Sequence, residues 1–489
     1  MNAAAGRPSF ASGAVTLVAG NLAARALTLL LIPVVTRLFP PDAFGVFAAF
    51  DALLTLLGAI CHLRYPMAVF PARKRGHVRA LVLLSLLVSL GASLLVGLAV
   101  AFFHAPLADM LGMAGHPGVL VFLAPALFLG AASFTLLQLA TRERRFAGMA
   151  GARIGSTAAE RGVGIGLGLL GRGTAGSLIW GRMAGHAASI AILAARPSHS
   201  LRPVLTAPGT WLRLGRVARE YRSFALYSPS ALLHQGGMAL PPLILAMQFS
   251  PAVAGLYALC RSVLREPINL LGDALARAMY AEISDKIRAH QPIAPFVGKF
   301  TGYALDLILA PMAVAAVTAG PLFAFVFGEQ WSAAAPYVAL LAGFWTLTFL
   351  SRPLSCLFDV LHRLRHRAVF DTALFAAGLA GLLLGALLGG PLWAVGCYAL
   401  AGSLVLLARI AWLTAQARTP VSVFLRGLIL KTLAALPVTA AGWGLAQWTG
   451  GAALLAGITG ILVLHYAALL FFNPSLKQQI MVMVPRRKA

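Results

Sequence analysis

Arginine side chains inside long apolar segments are the residues of this sequence best suited to chemistry. A charge within a membrane-length segment is costly, so it usually faces a water-filled cavity or a binding partner. The arginines in such positions include Arg25, Arg64, Arg161, Arg261, Arg265 and Arg352. Many embedded cations beside few embedded anions predict a cavity for a negatively charged ligand. A guanidinium suits phosphate because it can chelate two phosphate oxygens at once.

The spacing of three of these arginines suggests where such a ligand would bind. Arg25 shares a helical face with Asn21, which gives the first apolar segment a polar stripe. Arg261 and Arg265 are four residues apart and would repel each other on one helical face, so an anion should lie nearby. We therefore predict that Arg25, Arg261 and Arg265 line a central cavity and bind an anionic head group. Pairing with buried acidic residues is the structural alternative.

Two further arginines have less specific positions. Arg64 lies near the cytoplasmic end of its segment, where snorkelling to the interface explains it as well as substrate binding does. Arg352 precedes Pro353, which frees a backbone carbonyl, so it could face the cavity or satisfy that carbonyl. Arg277 follows Asp273 by four residues, which favours a structural ion pair.

Three carboxylates within apolar segments are candidates for ion coupling, namely Asp51, Glu160 and Asp306. Membrane carboxylates often relay protons, and pairing with a nearby base is the structural alternative. The sequence predicts no cofactor. Transport could be coupled to a proton gradient, to a sodium gradient or to the membrane potential. The potential favours outward movement of an anion by about 2.3 kcal/mol per charge per 100 mV.

The elements that hold these residues are predicted to be transmembrane helices. Of the 489 residues, 60% are hydrophobic and 11% are charged, and apolar runs recur along the whole chain. Runs of about 20 such residues are typical of membrane spans. We predict an all-α polytopic membrane protein with about 14 spans. The four cysteines lie in apolar segments without paired spacing, which argues against a disulfide framework or a zinc site.

Basic loops alternate with loops that carry almost no Lys or Arg, so the chain follows the positive-inside rule. This alternation places both termini in the cytoplasm and explains most of the formal charge of +25. A nucleic-acid partner is not expected, because no soluble segment is long enough to fold into a binding domain. The sequence also has no P-loop and no H-E-x-x-H motif, so we do not expect ATP hydrolysis.

A weak internal repeat predicts how the helices are grouped. Residues 39–48 and 249–258 share the pattern F-x-P-x-x-x-G-[VL]-[FY]-A. Both copies fall on the predicted outer side, which indicates parallel repeats and two six-helix lobes in a pseudo-two-fold arrangement. The predicted parts are an N-terminal lobe (1–195), a basic cytoplasmic linker (196–222), a C-terminal lobe (223–415), two accessory helices (416–473) and a basic tail (474–489).

Several motifs, taken in order, resemble a known family of exporters. They occupy residues 25–39, 42–45, 63–69, 261–267, 327–331 and 351–355. The sequence is similar to the oligosaccharide-lipid flippases that export O-antigen and capsule repeat units. Their superfamily also includes the lipid II flippase and the multidrug and toxin extruders.

This resemblance implies alternating access by two lobes in the bacterial inner membrane. The implied substrate is an undecaprenyl-pyrophosphate-linked oligosaccharide of an O-antigen, capsule or exopolysaccharide pathway. It would move from the cytoplasmic to the outer leaflet without catalysis, bound in the cavity. The predicted binding residues are Asn21, Arg25, Arg64, Arg261, Arg265 and Arg352. Whether a polysaccharide polymerase and glycosyltransferases associate with the protein is left open by the sequence.

Two other functions fit the composition. A drug or metabolite antiporter of the same superfamily would favour cavity carboxylates over this excess of arginine. A membrane-embedded glycan polymerase or ligase typically carries a large external loop, whereas the longest predicted outer loop spans only residues 104–118.

Overall fold

The computed structural model describes residues 10–113, 115–171, 173–195, 208–226 and 228–472. Within these ranges the chain is helical and contains no β-strand. The predicted basic tail and residues 196–207 of the predicted linker lie outside the described residues. The all-α fold expected from the sequence is confirmed.

The chain divides into two compact units, Met1–Ala258 and Leu259–Ala489. A 3-10 turn over Pro117–Phe122 precedes the fifth helix of the first unit. The helices of this unit are α1 (Phe10–Leu38), α2 (Pro41–Cys61), α3 (Tyr65–Ala68), α4 (Arg75–Met110), α5 (Leu123–Arg142), α6 (Phe146–Leu169), α7 (Ala175–Ala194), α8 (Pro208–Trp211), α9 (Leu214–Glu220), α10 (Arg222–Leu226) and α11 (Ser228–Gln248).

Helix α12 (Pro251–Arg288) begins in the first unit and continues into the second. A second 3-10 turn covers Glu329–Ala334. The remaining helices of the second unit are α13 (Ala294–Phe327), α14 (Ala335–Leu354), α15 (Cys356–Val360), α16 (Leu364–Leu388), α17 (Pro391–Gln416), α18 (Val421–Trp448) and α19 (Gly451–Phe472).

Ten stretches of the described chain are long and apolar enough to cross a membrane. They include α1, α2, α4, α13, α16, α17, α18 and α19, and the two stretches that contain α5 and α14. Helices α6, α7, α11 and α12 also have 20 residues or more. The protein is therefore a multi-pass membrane protein, while the count of about 14 spans stays a prediction.

Two glycines of α7 allow α6 and α7 to pack closely in the first unit. A Cβ built on Gly181 would lie 2.5 Å from the carbonyl oxygen of Glu160, and one on Gly185 would lie 2.9 Å from that of Ser156. Small residues allow this approach of two helix backbones inside a membrane. The close approach brings Glu160 of α6 beside Arg182 of α7.

A short left-handed turn follows α2. Leu63 and Arg64 have φ values of 45° and 55°, a region that non-glycine residues rarely adopt. The segment is fixed because the Tyr65 hydroxyl donates a hydrogen bond to the Ala218 carbonyl, at 3.4 Å. Arg142 also donates to the carbonyl of Phe70, at 3.0 Å. These contacts hold the residue that follows the turn and the chain beyond α3.

The last two helices pack on α13 within the second unit. Lys431 of α18 forms an ion pair with Asp306 of α13. The Tyr466 hydroxyl of α19 donates a hydrogen bond of 2.6 Å to the Leu307 carbonyl. The helices predicted to be accessory are therefore joined to α13 by polar contacts as well as by apolar packing.

Candidate functional site

The first unit contains an open-sided cavity of about 680 Å³ between α2, α3, α5, α7, α11 and the turn that follows α2. Its walls are mostly apolar and include Leu54, Met67, Leu127 and Phe134. The polar side of the lining consists of Asp51, Thr55, His62, Arg64, Arg182, His186 and Gln235. An apolar cavity with a few convergent polar groups is the usual form of a ligand site.

His62 and Arg64 form one polar part of the cavity lining. The Arg64 amide donates a hydrogen bond of 3.1 Å to Nδ1 of His62. The imidazole stacks on the Phe134 ring with the ring centroids 5.0 Å apart. Burial, and secondarily the charge of Arg64, lowers the pKa of His62 to about 4. The imidazole is therefore neutral near pH 7, and Arg64 supplies the positive charge here.

A second polar part of the lining is built around Arg182 of α7. Its Nε lies 2.9 Å from Oδ1 of Asp51, and its Nη2 contacts the same oxygen. Its Nη1 donates a hydrogen bond of 3.1 Å to Oε2 of Glu160. Arg161 approaches the other oxygen of Glu160 at 3.8 Å. One guanidinium thus joins two carboxylates from α2 and α6.

The charges of this region leave a small positive excess. Asp51 and Glu160 balance Arg161 and Arg182, and Arg64 adds one further cation. The net charge of these five side chains is therefore +1. A cavity with this balance suits an anion, and its two lining guanidinium groups can each bind phosphate oxygens in bidentate fashion.

The structure places three of the predicted site residues in this region. Arg64 and Asp51 line the cavity, and Glu160 contacts Arg182 without being part of the lining. Asn21 and Arg25 lie on α1, exposed and half-buried respectively, and do not line this cavity. Whether these two contact a substrate stays a prediction.

The other predicted binding residues lie in the second unit. Arg261 and Arg265 are half-buried on α12. Arg352 of α14 forms an ion pair with Asp273, with Nε 2.9 Å from Oδ1, and also donates a hydrogen bond to Asn269. Asp273 therefore has a basic partner from another helix. Whether Arg352 also contacts a substrate stays a prediction.

A further embedded arginine, Arg409 of α17, has a similar environment. Its Nη1 lies 2.8 Å from Oδ1 of Asp371, and its Nη2 donates to the Ser355 hydroxyl at 2.9 Å. Its guanidinium also lies 5.1 Å from the centroid of the Phe358 ring. These contacts join α15, α16 and α17 and give Arg409 a structural role.

Sequence reasoning missed Arg182, His186 and Lys431. Arg182 is a single cation in the apolar segment of α7, so it carries the same signal that identified the other embedded arginines. Lys431 occupies an equivalent position in α18. The sequence does not indicate which carboxylate each cation approaches, because Asp51 is 131 residues from Arg182 and Asp306 is 125 residues from Lys431.

Comparisons with known proteins agree with this architecture. A family described as "Polysaccharide biosynthesis protein" matches residues 34–336. No curated protein matches the sequence.

Several solved structures, including the following three, are similar in fold. The lipid II flippase MurJ in an inward closed conformation has a TM-score of 0.71 at 12% identity, covering 94% of this chain and 99% of that chain. An inward-facing multidrug resistance MATE family transporter has a TM-score of 0.59 at 14% identity, covering 81% and 94%. A MOP superfamily transporter from Pyrococcus furiosus has a TM-score of 0.52 at 14% identity, covering 83% and 95%. At these identities the likeness shows the fold alone.

Proposed function

The chain belongs to the polysaccharide biosynthesis protein family, and from this premise we propose that it is a flippase for a lipid-linked oligosaccharide. The substrate is an undecaprenyl-pyrophosphate-linked repeat unit of an O-antigen, capsule or exopolysaccharide. The protein moves it from the cytoplasmic to the outer leaflet of the bacterial inner membrane by alternating access. The fold shared with the lipid II flippase MurJ is compatible with this role.

The observation that carries the proposal is the cavity lined by Arg64 and Arg182. Its volume of about 680 Å³ lies within the range of ligand pockets and admits a pyrophosphate with part of the attached sugar. The guanidinium groups suit the phosphates, and Asp51 and Gln235 offer hydrogen-bonding groups for sugar hydroxyls. The polyprenyl chain remains in the lipid, where its apolar surface stays out of contact with water. Asn21, Arg25, Arg261, Arg265 and Arg352 stay proposed contacts at other stages of transport.

The proposed driving force is the charge of the substrate itself. Asp51, Glu160 and Asp306 each have a basic partner at ion-pair distance. The membrane potential already favours outward movement of the pyrophosphate by about 2.3 kcal/mol per charge per 100 mV. If the drive is electrical, abolishing the potential with valinomycin and potassium slows flipping in proteoliposomes. Transport that responds only to a proton or sodium gradient would assign the drive to ion coupling instead.

The test of the function is deletion of the gene in its host. We expect undecaprenyl-pyrophosphate oligosaccharide to accumulate on the cytoplasmic side of the membrane. Wild type and the exposed-site control Arg418→Gln should relieve the accumulation, whereas Arg64→Gln, expressed at the same level, should not. Normal export in a deletion strain that has no second flippase would contradict the proposal and favour a drug or metabolite antiporter.

A further inference from the structure

Arg182 presents two different edges to its two carboxylates. The edge formed by Nε and Nη2 faces Oδ1 of Asp51, and Nη1 faces Glu160. The Nε–Nη2 edge is one of the two edges by which a guanidinium chelates a phosphate. Asp51 therefore contacts the edge of the Arg182 guanidinium that an anionic ligand in the cavity would bind.

The two carboxylates differ in their relation to the cavity. Asp51 lines it, and its side chain is 31% exposed. Glu160 is outside the lining, its side chain is 17% exposed, and Arg161 approaches it from the same helix. A ligand that enters the cavity can therefore contact Asp51, whereas Glu160 contacts Arg182 from outside the cavity lining.

We infer that Asp51 is an internal competitor of the substrate, which occupies the phosphate-binding edge of Arg182 until a pyrophosphate displaces it. The inference rests on the proposed function and adds a residue that sets the balance between binding and release. In this view Asp51 keeps Arg182 oriented in the empty cavity. After transport the ion pair between Asp51 and Arg182 forms again, which promotes release of the transported lipid.

The inference predicts different effects on binding for the two carboxylates that contact Arg182. Asp51→Asn keeps the size of the side chain and removes the competing charge. A pyrophosphate should therefore bind about tenfold more tightly. This gain corresponds to one charge-assisted hydrogen bond that no longer has to be broken on binding. Glu160→Gln removes the support behind Arg182, so binding should be unchanged or weaker. A purely structural role for the cluster would predict weaker binding in both variants.

The experiment uses the full-length protein purified in detergent, with inorganic pyrophosphate and geranyl pyrophosphate as probes in calorimetry. The variants are Asp51→Asn and Glu160→Gln. The matched control is Asp42→Asn. Asp42 has an exposed side chain at the start of α2, 3.1 Å from His116, and it does not line the cavity. Thermal denaturation of each variant shows whether it is folded.

Flipping of a fluorescent polyprenyl pyrophosphate in proteoliposomes provides the second readout. We expect Asp51→Asn to lower both KM and kcat, because tighter binding slows release. If folded Asp51→Asn binds the probes no more tightly than wild type, while wild type flips and Arg64→Gln does not, the inference is wrong and the proposed function stands. If wild type neither binds the probes nor flips the lipid, the proposed function is wrong, and the inference fails with it.

Discussion

Gly45 and Gly255 lie face to face in the first unit. A Cβ built on Gly45 would lie 2.9 Å from the amide nitrogen of Gly255, and one built on Gly255 would lie 3.0 Å from the amide nitrogen of Gly45. The same added atoms would overlap the carbonyl oxygens of Pro251 and Pro41 respectively. The two glycines are the matching positions of the repeated sequence pattern. The two copies of the repeat therefore contact each other reciprocally, as expected around a local two-fold axis.

Alanine at either glycine should disrupt this contact. Gly45→Ala and Gly255→Ala each place a methyl group against a backbone carbonyl, so we expect a loss of about 1–3 kcal/mol and a lower denaturation temperature in detergent. Gly91→Ala in α4 is the matched control, since its Cβ would meet nothing within 4 Å and alanine favours the helix. Equal stability of all three variants would show that the contact does not constrain the backbone.

Removal of Arg182 should destabilise the first unit. Arg182→Gln leaves Asp51 and Glu160 without the cation they share, and breaking an embedded pair in this way costs about 3 kcal/mol. Neutralising both carboxylates in the same protein, with Asp51→Asn and Glu160→Gln, should restore most of the stability. The measurement is thermal denaturation in detergent. A triple variant as unstable as Arg182→Gln would mean that the charges do not determine the effect.

Replacement of Arg64 by glycine should separate stability from binding. Glycine adopts the left-handed conformation at φ 55° readily, so Arg64→Gly should keep or raise the stability by up to about 1 kcal/mol. It should also weaken pyrophosphate binding, because a lining guanidinium is lost. Arg418→Gly is the matched control, with φ 59° at an exposed site outside the cavity, and should change stability in the same direction without changing binding. If both variants bind pyrophosphate equally well, Arg64 does not contribute to pyrophosphate binding.

The Asp306–Lys431 ion pair should fix α18 on α13. Lys431→Met leaves a carboxylate with 9% side-chain exposure inside a membrane-length helix, so we expect a loss of about 3 kcal/mol. Combining it with Asp306→Asn should recover stability, and the double-mutant cycle gives the coupling between the two side chains. Additive losses would show that the pair is not energetically coupled.

The same double variant tests Asp306 as an ion-coupling residue. If Asp306 serves only to hold α18, the double variant in proteoliposomes should respond to imposed proton and sodium gradients as the wild type does. A changed response, in protein that denatures at the wild-type temperature, would give Asp306 the coupling role expected from the sequence.

The sequence by itself determined that the protein is an all-α polytopic membrane protein. Recurrent apolar runs leave the backbone no stable alternative to helices in lipid, where every N–H and C=O must be paired within its own segment. The family followed from the order of motifs such as residues 63–69 and 261–267, and the repeat around Gly45 and Gly255 followed from a shared pattern. These features are local or depend on composition, and a single sequence displays them directly.

Only the tertiary structure decided which charged residues meet. Arg182 carries the same sequence signal as Arg25, yet its guanidinium joins Asp51 and Glu160 at a cavity that Arg25 does not line. Arg352 has an equally embedded position and is paired with Asp273. The energy of an ion pair depends on the distance between its groups and on their burial, and both are set by how distant helices pack. Sequence spacing therefore identified the embedded charges, and the packing of α2, α6 and α7 decided what they do.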